Sequence, residues 1–486
     1  MRAYQLVTGA TGLLGGYLLR DLTLREIPLA VVVRGSRIES ARQRLEAIMG
    51  LGDEQVGRAL ARPVIFEGDL NKTHLGLSDS DRKWISRHCQ SVIHNAASLT
   101  FVGEDRAGEP WRSNLGGTER VLELCREASI RRLHHVSTAY VCGLRSGRVL
   151  ESELEMGQAF GNVYEDSKFQ AEQLVHRADF LDVCTVFRPA IIVGDSVTGY
   201  TSTYHGFYAP LRVVASIISK VVNAGSGSEP LLESLGLGGE EGKNFVPVDW
   251  VSAVMARIIA TPALHGRTYH LTPANRVQLT QMGKLMERVV GEHMLRLHDQ
   301  GRIPQETPYD VDFLARYFRE QMQVYQAYWR DDPVFDASNT ASAVPDLPCP
   351  QLDEEVILRL CRYALEHNFG WPKAQPAVLE FDLGQHLRQK RRGEADASHS
   401  RRSIGLRVTG HGGGQWELVW DGQSLVDLEE GIAAPSGCIH LNMPVFQSLR
   451  KGESTVAKAL AQGRILVEGS GLKTDEVQAL LEHVAA

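Results

Sequence analysis

The segment Gly9-Ala10-Thr11-Gly12-Leu13-Leu14-Gly15 stands between an apolar run, Tyr4–Thr8, and a helical pattern, Gly12–Leu24. A buried strand that turns this sharply into a helix needs residues that tolerate positive φ. A Cβ at the turn would also block a phosphate from the N–H groups that open the helix. The last glycine, Gly15, lets helix and strand pack closely. The segment therefore predicts a βαβ unit that binds a dinucleotide, with Gly9, Thr11, Gly12, Leu13 and Gly15 around its pyrophosphate.

Further runs repeat the alternation. Leu29–Val33, Val64–Phe66, Ser91–His94, Arg132–Ser137, Val183–Arg188 and Thr268–Leu271 read as strands separated by helical patterns. That order predicts an α/β fold, a Rossmann-type doubly wound parallel sheet over residues 1–278. Residues 195–243 read as insertions on the substrate side, with a helix over 209–222 and a mobile Gly/Ser-rich stretch over 223–242. Residues 279–384 read as a helical cap, where Tyr317, Phe318, Tyr325, Tyr328 and Trp329 cluster. Residues 385–403 are charged and poor in apolar side chains, which predicts a linker. Residues 404–486 resume strand and helix patterns, a small separate α+β domain.

The 486 residues suffice for several domains. A net charge of -7 argues against nucleic acid as a partner. Seven cysteines, an odd number without CxxC spacing, argue against a metal site or a disulfide framework and suit a reducing cytoplasm. No apolar run reaches the roughly 18 residues of a membrane span. The glycine turn at residue 9 leaves no room for a cleavable signal. Peripheral contact with a membrane stays open, as does the oligomeric state.

The second strand ends in Arg34, where NAD-binding folds usually carry a carboxylate for the ribose 2′-OH. A guanidinium attracts a 2′-phosphate that a carboxylate would repel, so Arg34, with Arg37 and Arg44 nearby, favours NADP(H). Asp69, followed by Leu70, lies after the third strand, where a carboxylate can accept from the adenine amino group. Asn95, Ala96 and Ala97 offer small residues against the cofactor ribose, and His94 beside them reads as a packing or hydrogen-bonding residue.

Tyr164 and Lys168 stand one helical turn apart and share a face. An ammonium beside a phenol favours the phenolate, which lets tyrosine act as an acid near neutral pH. Such a pair is common on any helix surface. What sets this one apart is the strand-ending Val136-Ser137-Thr138-Ala139-Tyr140-Val141 upstream. A hydroxyl there, Thr138 or its rival Ser137, can clamp a carbonyl oxygen that gains charge as hydride is added.

TGATGLLG, the Asp69 turn, HNAAS, SNLGGT, VSTAYV, YEDSK and FRPAIIVGD, in this order, resemble the extended short-chain dehydrogenase/reductase family over residues 1 to about 280. VRGSRIESARQRL and VSTAYV look most like its fatty acyl thioester reductase branch, which includes male-sterility-type fatty acyl-CoA reductases and carrier-protein reductase domains. The resemblance implies Tyr164 as catalytic acid, Lys168 as its partner and ribose anchor, and Thr138 as the clamp. It places Asn114 with the catalytic set, and Pro189 and Ile191 beside the nicotinamide. It implies NADPH-dependent reduction of an acyl-CoA or acyl-carrier-protein thioester to aldehyde or alcohol. A reductase of a cyclic ketone, polyketide or hydroxysteroid would use the same residues. A nucleotide-sugar epimerase or dehydratase fits Arg34 less well. Residues 400–486, through GQWELVWDG, CIHLNMPVFQSLRKGES and AQGRILVEG, resemble the sterol-carrier-protein fold, which implies a lipid-binding module.

Overall fold

Seven short apolar runs pair into one sheet. In chain order they are β1 (Tyr4–Thr8), β2 (Leu29–Val33), β3 (Val64–Glu67), β4 (Cys89–His94), β5 (Arg132–Val136), β6 (Val183–Pro189) and β7 (Thr268–Leu271). Across the sheet their order is β7-β6-β5-β4-β1-β2-β3, and every pair is parallel. A parallel strand is covered on both faces and so needs a continuous apolar sequence, as in the fully buried LAVVV of β2. The computed structural model describes residues 3–103, 105–218, 237–300, 311–373, 376–379, 381–392, 401–469 and 471–486.

Helices α1 (Leu13–Leu24), α2 (Ala41–Val56), α3 (Asp79–His88), α4 (Trp111–Glu127), α5 (Val163–His176), α6 (Tyr208–Ile218) and α7 (Val248–Ala260) connect or follow these strands. Side chains alternate along a strand, so β2 feeds two cores. Val31 and Val33 pack with Leu18 of α1 and Val251 of α7 on one face. Ala30 and Val32 pack with Val121 of α4 and Val175 of α5 on the other. The strand order reverses between β1 and β4, and the crevice beyond their carboxyl ends is where such sheets hold ligands.

A third apolar cluster lies under α6, α8 (Leu279–Asp299), α9 (Val311–Met322) and α10 (Glu354–Glu366), and includes Phe207, Val289 and Leu360. The helix expected over 209–222 is α6. Residues 219–236, and with them most of the Gly/Ser-rich 223–242 stretch, lie outside the described residues. Among the described residues no helix is long and apolar enough to cross a membrane.

The 385–403 stretch departs from the expected linker. It opens as a helix, α11 (Leu383–Lys390), in which Asp382 caps the Gln385 N–H and Leu383 and Leu387 are buried. Two leucines one turn apart are a stripe too narrow to stand out among so many charges. Residues 393–400 lie outside the described residues. Then come β8 (Arg402–Thr409), β9 (Gly414–Trp420), β10 (Leu425–Glu430), β11 (Cys438–Asn442) and β12 (Leu466–Glu468), ordered β10-β9-β8-β11-β12. Helices α12 (Met443–Arg450), α13 (Val456–Ala461) and α14 (Thr474–Ala485) close one face over Trp416, Trp420 and Phe446. This sheet docks on the first one: Trp84 Nε1 donates to the Glu430 carbonyl at 2.7 Å, and Gln415 Nε2 to that of Arg62 at 3.1 Å.

One buried ion pair locks α5 to the main sheet. Arg188 of β6 meets Glu172 at 2.6 Å, both almost fully buried, and the Arg188 guanidinium also donates to the Glu153 carbonyl at 2.8 Å. Removing one partner strands the other charge in a dry interior. Glu172→Ala is expected to lower unfolding stability by about 3–5 kcal/mol, read from the urea midpoint. A loss below about 1 kcal/mol would show that the pair does not pin α5.

Candidate active site

At the carboxyl end of β1, Gly9 adopts φ +72, and a Cβ there would come within 2.5 Å of the Ala96 nitrogen. A Cβ at Gly15 would overlap the Gly9 carbonyl oxygen. Gly12, the N-cap of α1, is different, because a Cβ there would meet nothing closer than 3.6 Å. The protein leaves that space open above a helix start that has no side-chain cap and no acidic residue in its first turn. The first N–H groups of a helix lack intrahelical partners. An open cradle of free donors at a positive helix end fits the pyrophosphate of a dinucleotide.

A cavity of about 590 Å³ begins at this cradle. Thr11 and Leu13, Arg34 and Arg44, Asp69 and Leu70, Asn95 to Ala97, and Pro189 and Ile191 all line it. Arg44 reaches back from α2 to donate to the Arg34 carbonyl and, at 3.2 Å, to the Thr11 hydroxyl. It thereby ties the glycine turn to the end of β2. Arg37, expected near the 2′-phosphate, is exposed in the loop between β2 and α2 and does not line the cavity. The Asn95 side chain donates to the Gly9 carbonyl at 3.1 Å and so holds the turn. His94 is bonded between the hydroxyls of Thr8 and Thr118, at 2.8 and 3.0 Å. Burial, and then the Lys168 ammonium, push its pKa down to about 3, so it stays neutral.

Tyr164, Lys168 and Thr138 converge on the same cavity. Helix α5 starts at Asn162, which caps the Glu165 N–H, and so places Tyr164 and Lys168 in its first turns. Lys168 Nζ donates to the Val136 carbonyl at 2.7 Å. The Thr138 hydroxyl accepts from the Tyr140 N–H at 3.3 Å, which fixes the turn after β5. The expected depression of the phenol pKa is not found. Burial pushes Tyr164 up to about 12, only partly opposed by a hydrogen bond with Thr138. Burial also brings Lys168 down to about 8. The phenol is therefore held protonated at neutral pH.

Asn114, placed with the catalytic set by the resemblance, stands apart from the cavity. It is buried on α4 and does not line the cavity. Its side chain accepts from the Ser98 N–H at 2.7 Å and donates to the Ser167 hydroxyl at 2.9 Å. With a further bond from its amide to the Ser98 carbonyl at 3.1 Å, it joins the loop after β4 to α5.

The structure adds residues that the motifs did not reveal. Lys243 lines the cavity and is buried, with Nζ 3.1 Å from Asp332 and donating to the Tyr328 and Arg330 carbonyls. Asp332 also accepts from the Tyr140 hydroxyl at 2.7 Å. Phe101 packs edge-on against Tyr164 at 5.5 Å and Tyr328 at 5.9 Å, between the polar end and the far end of the cavity. That far end is apolar, with Phe207, Phe245, Met282, Phe318 and Met322 in its wall. The Tyr317 side chain lies outside the described residues. The only prior trace of this group was a lysine in the apolar return near Phe245 and the Asp331-Asp332 pair after the aromatic stretch.

The model of the male sterility protein family, an NAD-binding domain, matches residues 7–255. The chain belongs to this family. It is an NAD(P)-binding oxidoreductase of the extended short-chain dehydrogenase/reductase type. Among curated proteins, it is 30% identical over 285 residues to a nonribosomal peptide synthetase of Aspergillus flavus, asaC, covering 55% of this chain and 26% of that one. It is 27% identical over 402 residues to aldehyde reductase lnaA of the same species, covering 76% and 36%. The chain thus spans well under half the length of either relative. In fold it is similar to the terminal R domain from the myxalamid PKS-NRPS biosynthetic pathway, with a TM-score of 0.58, 24% identity, and coverage of 76% of this chain and 92% of that one.

A buried ammonium makes this male sterility family member pay in stability. Lys168 is held near 8, below its ordinary value of 10.5, so the unfolded chain binds the extra proton between those values. Stability should therefore rise with pH across that window, and the cost is fully present below about 8. Lys168→Met is expected to melt higher than the wild type at neutral pH without dinucleotide, with the difference fading as pH rises to 10.5. A constant difference across that range would refute a charged Lys168.

Proposed function

We propose that this chain is an NADPH-dependent reductase of a lipid-like carbonyl, with a fatty acyl or carrier-protein-bound thioester as substrate. The observation that carries this reading is one continuous cavity. It runs from the phosphate cradle past Thr138, Tyr164 and Lys168 to a wall of phenylalanines and methionines. An apolar acyl tail fits the far end while its carbonyl meets the hydroxyls. The kinship with a peptide synthetase and with a terminal R domain supports a thioester as the reacting group.

The cradle at Gly9–Gly15 would hold the pyrophosphate, Arg34 and Arg44 the 2′-phosphate, Asp69 the adenine, and Lys168 the nicotinamide ribose. Pro189 and Ile191 would flank the nicotinamide. When bound, the nicotinamide supplies the hydride for the carbonyl carbon. Thr138 and Tyr164 hold the carbonyl oxygen, and their hydrogen bonds strengthen as negative charge grows on it. The protonated Tyr164 passes its proton to that oxygen. Lys168, pinned to the Val136 carbonyl, keeps a positive charge beside the emptied phenol. A thioester so reduced yields aldehyde and thiol, and a second round gives the alcohol.

The C-terminal unit takes a sterol-carrier-like architecture in this proposal. Its apolar layer is occupied by its own Trp416, Trp420 and Phe446, each at most 2% exposed, which supports a docking role over a lipid pocket.

NADPH consumption with a panel of acyl-CoA, acyl carrier protein, aldehyde and cyclic ketone substrates tests the reading. Acyl thioesters should be reduced, and Tyr164→Phe should cut kcat by about 10²- to 10⁴-fold. Full turnover by that variant would sink the mechanism. Acceptance of ketones alone would overturn the substrate class, and activity with NADH alone would overturn the role of Arg34 and Arg44.

A further inference from the structure

The first turns of α2 are gripped from both sides. On the cavity side Arg44 bonds the Arg34 carbonyl and Thr11. On the opposite side the C-terminal residues hold the neighbours of Arg44. Arg42 donates to the Gly413 carbonyl at 3.4 Å and pairs with Glu430 at 3.5 Å, each side chain about one-fifth exposed. Gln43 Nε2 donates to the Ala377 carbonyl at 3.1 Å. His411 Nδ1 lies 3.4 Å from the buried carboxylate of Glu46 one turn on. Glu46 in turn is bound to the buried Arg62, whose carbonyl receives Gln415. Residues 42 and 46 thus carry contacts to the C-terminal unit, and residue 43 to the segment before it, while residue 44 of the same helix turn faces the dinucleotide cradle.

We infer that the C-terminal unit is a brace for the adenosine end of the cofactor site, with Arg42 and Glu430 as positioning residues that hold Arg44 where it meets a 2′-phosphate. The inference rests on the reading of Arg44 as a 2′-phosphate ligand. A long side chain on a surface helix loses rotamer and helix freedom when it grips a phosphate, and a helix already clamped on its far face has less freedom left to lose. Neither Arg42 nor Glu430 lines the cavity. Their effect must therefore pass through α2. The brace should strengthen binding of the 2′-phosphorylated nucleotide and leave the unphosphorylated one nearly unchanged, since the cradle's N–H groups belong to α1 and Arg44 reaches the glycine turn through one 3.2 Å bond to Thr11.

Calorimetric titration of the full chain with adenosine 2′,5′-bisphosphate and with adenosine 5′-monophosphate reads this directly. Arg42→Ala and the milder Glu430→Gln should each weaken the bisphosphate by about fivefold, the low end of ordinary coupling between sites. The monophosphate and the melting temperature should stay as in the wild type. Equal loss for both nucleotides, no loss for either, or a fall in melting temperature that tracks the loss would each overturn the brace. Arg44→Ala separates this failure from that of the underlying reading. If Arg44→Ala binds the bisphosphate as the wild type does, the 2′-phosphate assignment itself falls. If it loses the bisphosphate while Arg42→Ala and Glu430→Gln do not, the brace alone falls.

Discussion

The contact between the glycine turn and the end of β4 sets the terms for everything else in this protein. Gly9 lies so close to the Ala96 backbone that any side chain would push the two strands' ends apart. Asn95 then fastens the turn by its bond to the Gly9 carbonyl. Because β1 and β4 flank the reversal of strand order, this fastening defines the floor of the crevice. The helix start, the arginines after β2 and the Tyr164 helix are all placed relative to that floor.

The catalytic side is stabilised in layers behind the reacting groups. Lys168 is held by a backbone carbonyl of β5, Asn114 joins α4 to α5 through Ser167, and Arg188 anchors α5 through Glu172. Burial raises the phenol's pKa and lowers that of the ammonium, so neither group is set for its work by direct electrostatic pairing alone. Both follow from burying polar groups, which strengthens each hydrogen bond made there.

The dinucleotide half was legible because its signals are local. A strand, a glycine turn and a helix occupy consecutive residues, and Tyr164 and Lys168 share one helical turn. The Lys243–Asp332–Tyr140 group was not legible, because its members lie far apart in the chain and no short motif joins them. β10 is hard to read from sequence for another reason. Its sequence LVDLEE has acidic residues where an exposed strand would alternate, yet Glu430 is spent on Arg42 and the strand's backbone on Trp84. A motif position says nothing of bonds, and those of Asn114 join two elements. Arg37 sat close in sequence to Arg34, but the loop after β2 turns it outward.

Lys243 gives the cavity an unusual dependency. Its single ammonium gathers two carbonyls and a carboxylate from residues 328–332 and pulls that segment against the turn that follows β5. That segment is further fastened by Arg330, which donates to the Gly143 carbonyl at 2.8 Å, and by Asp331, which accepts from the Gly242 N–H at 2.8 Å. The Trp329 side chain makes none of these bonds, so the cavity wall can change shape at that position while the segment keeps its anchorage.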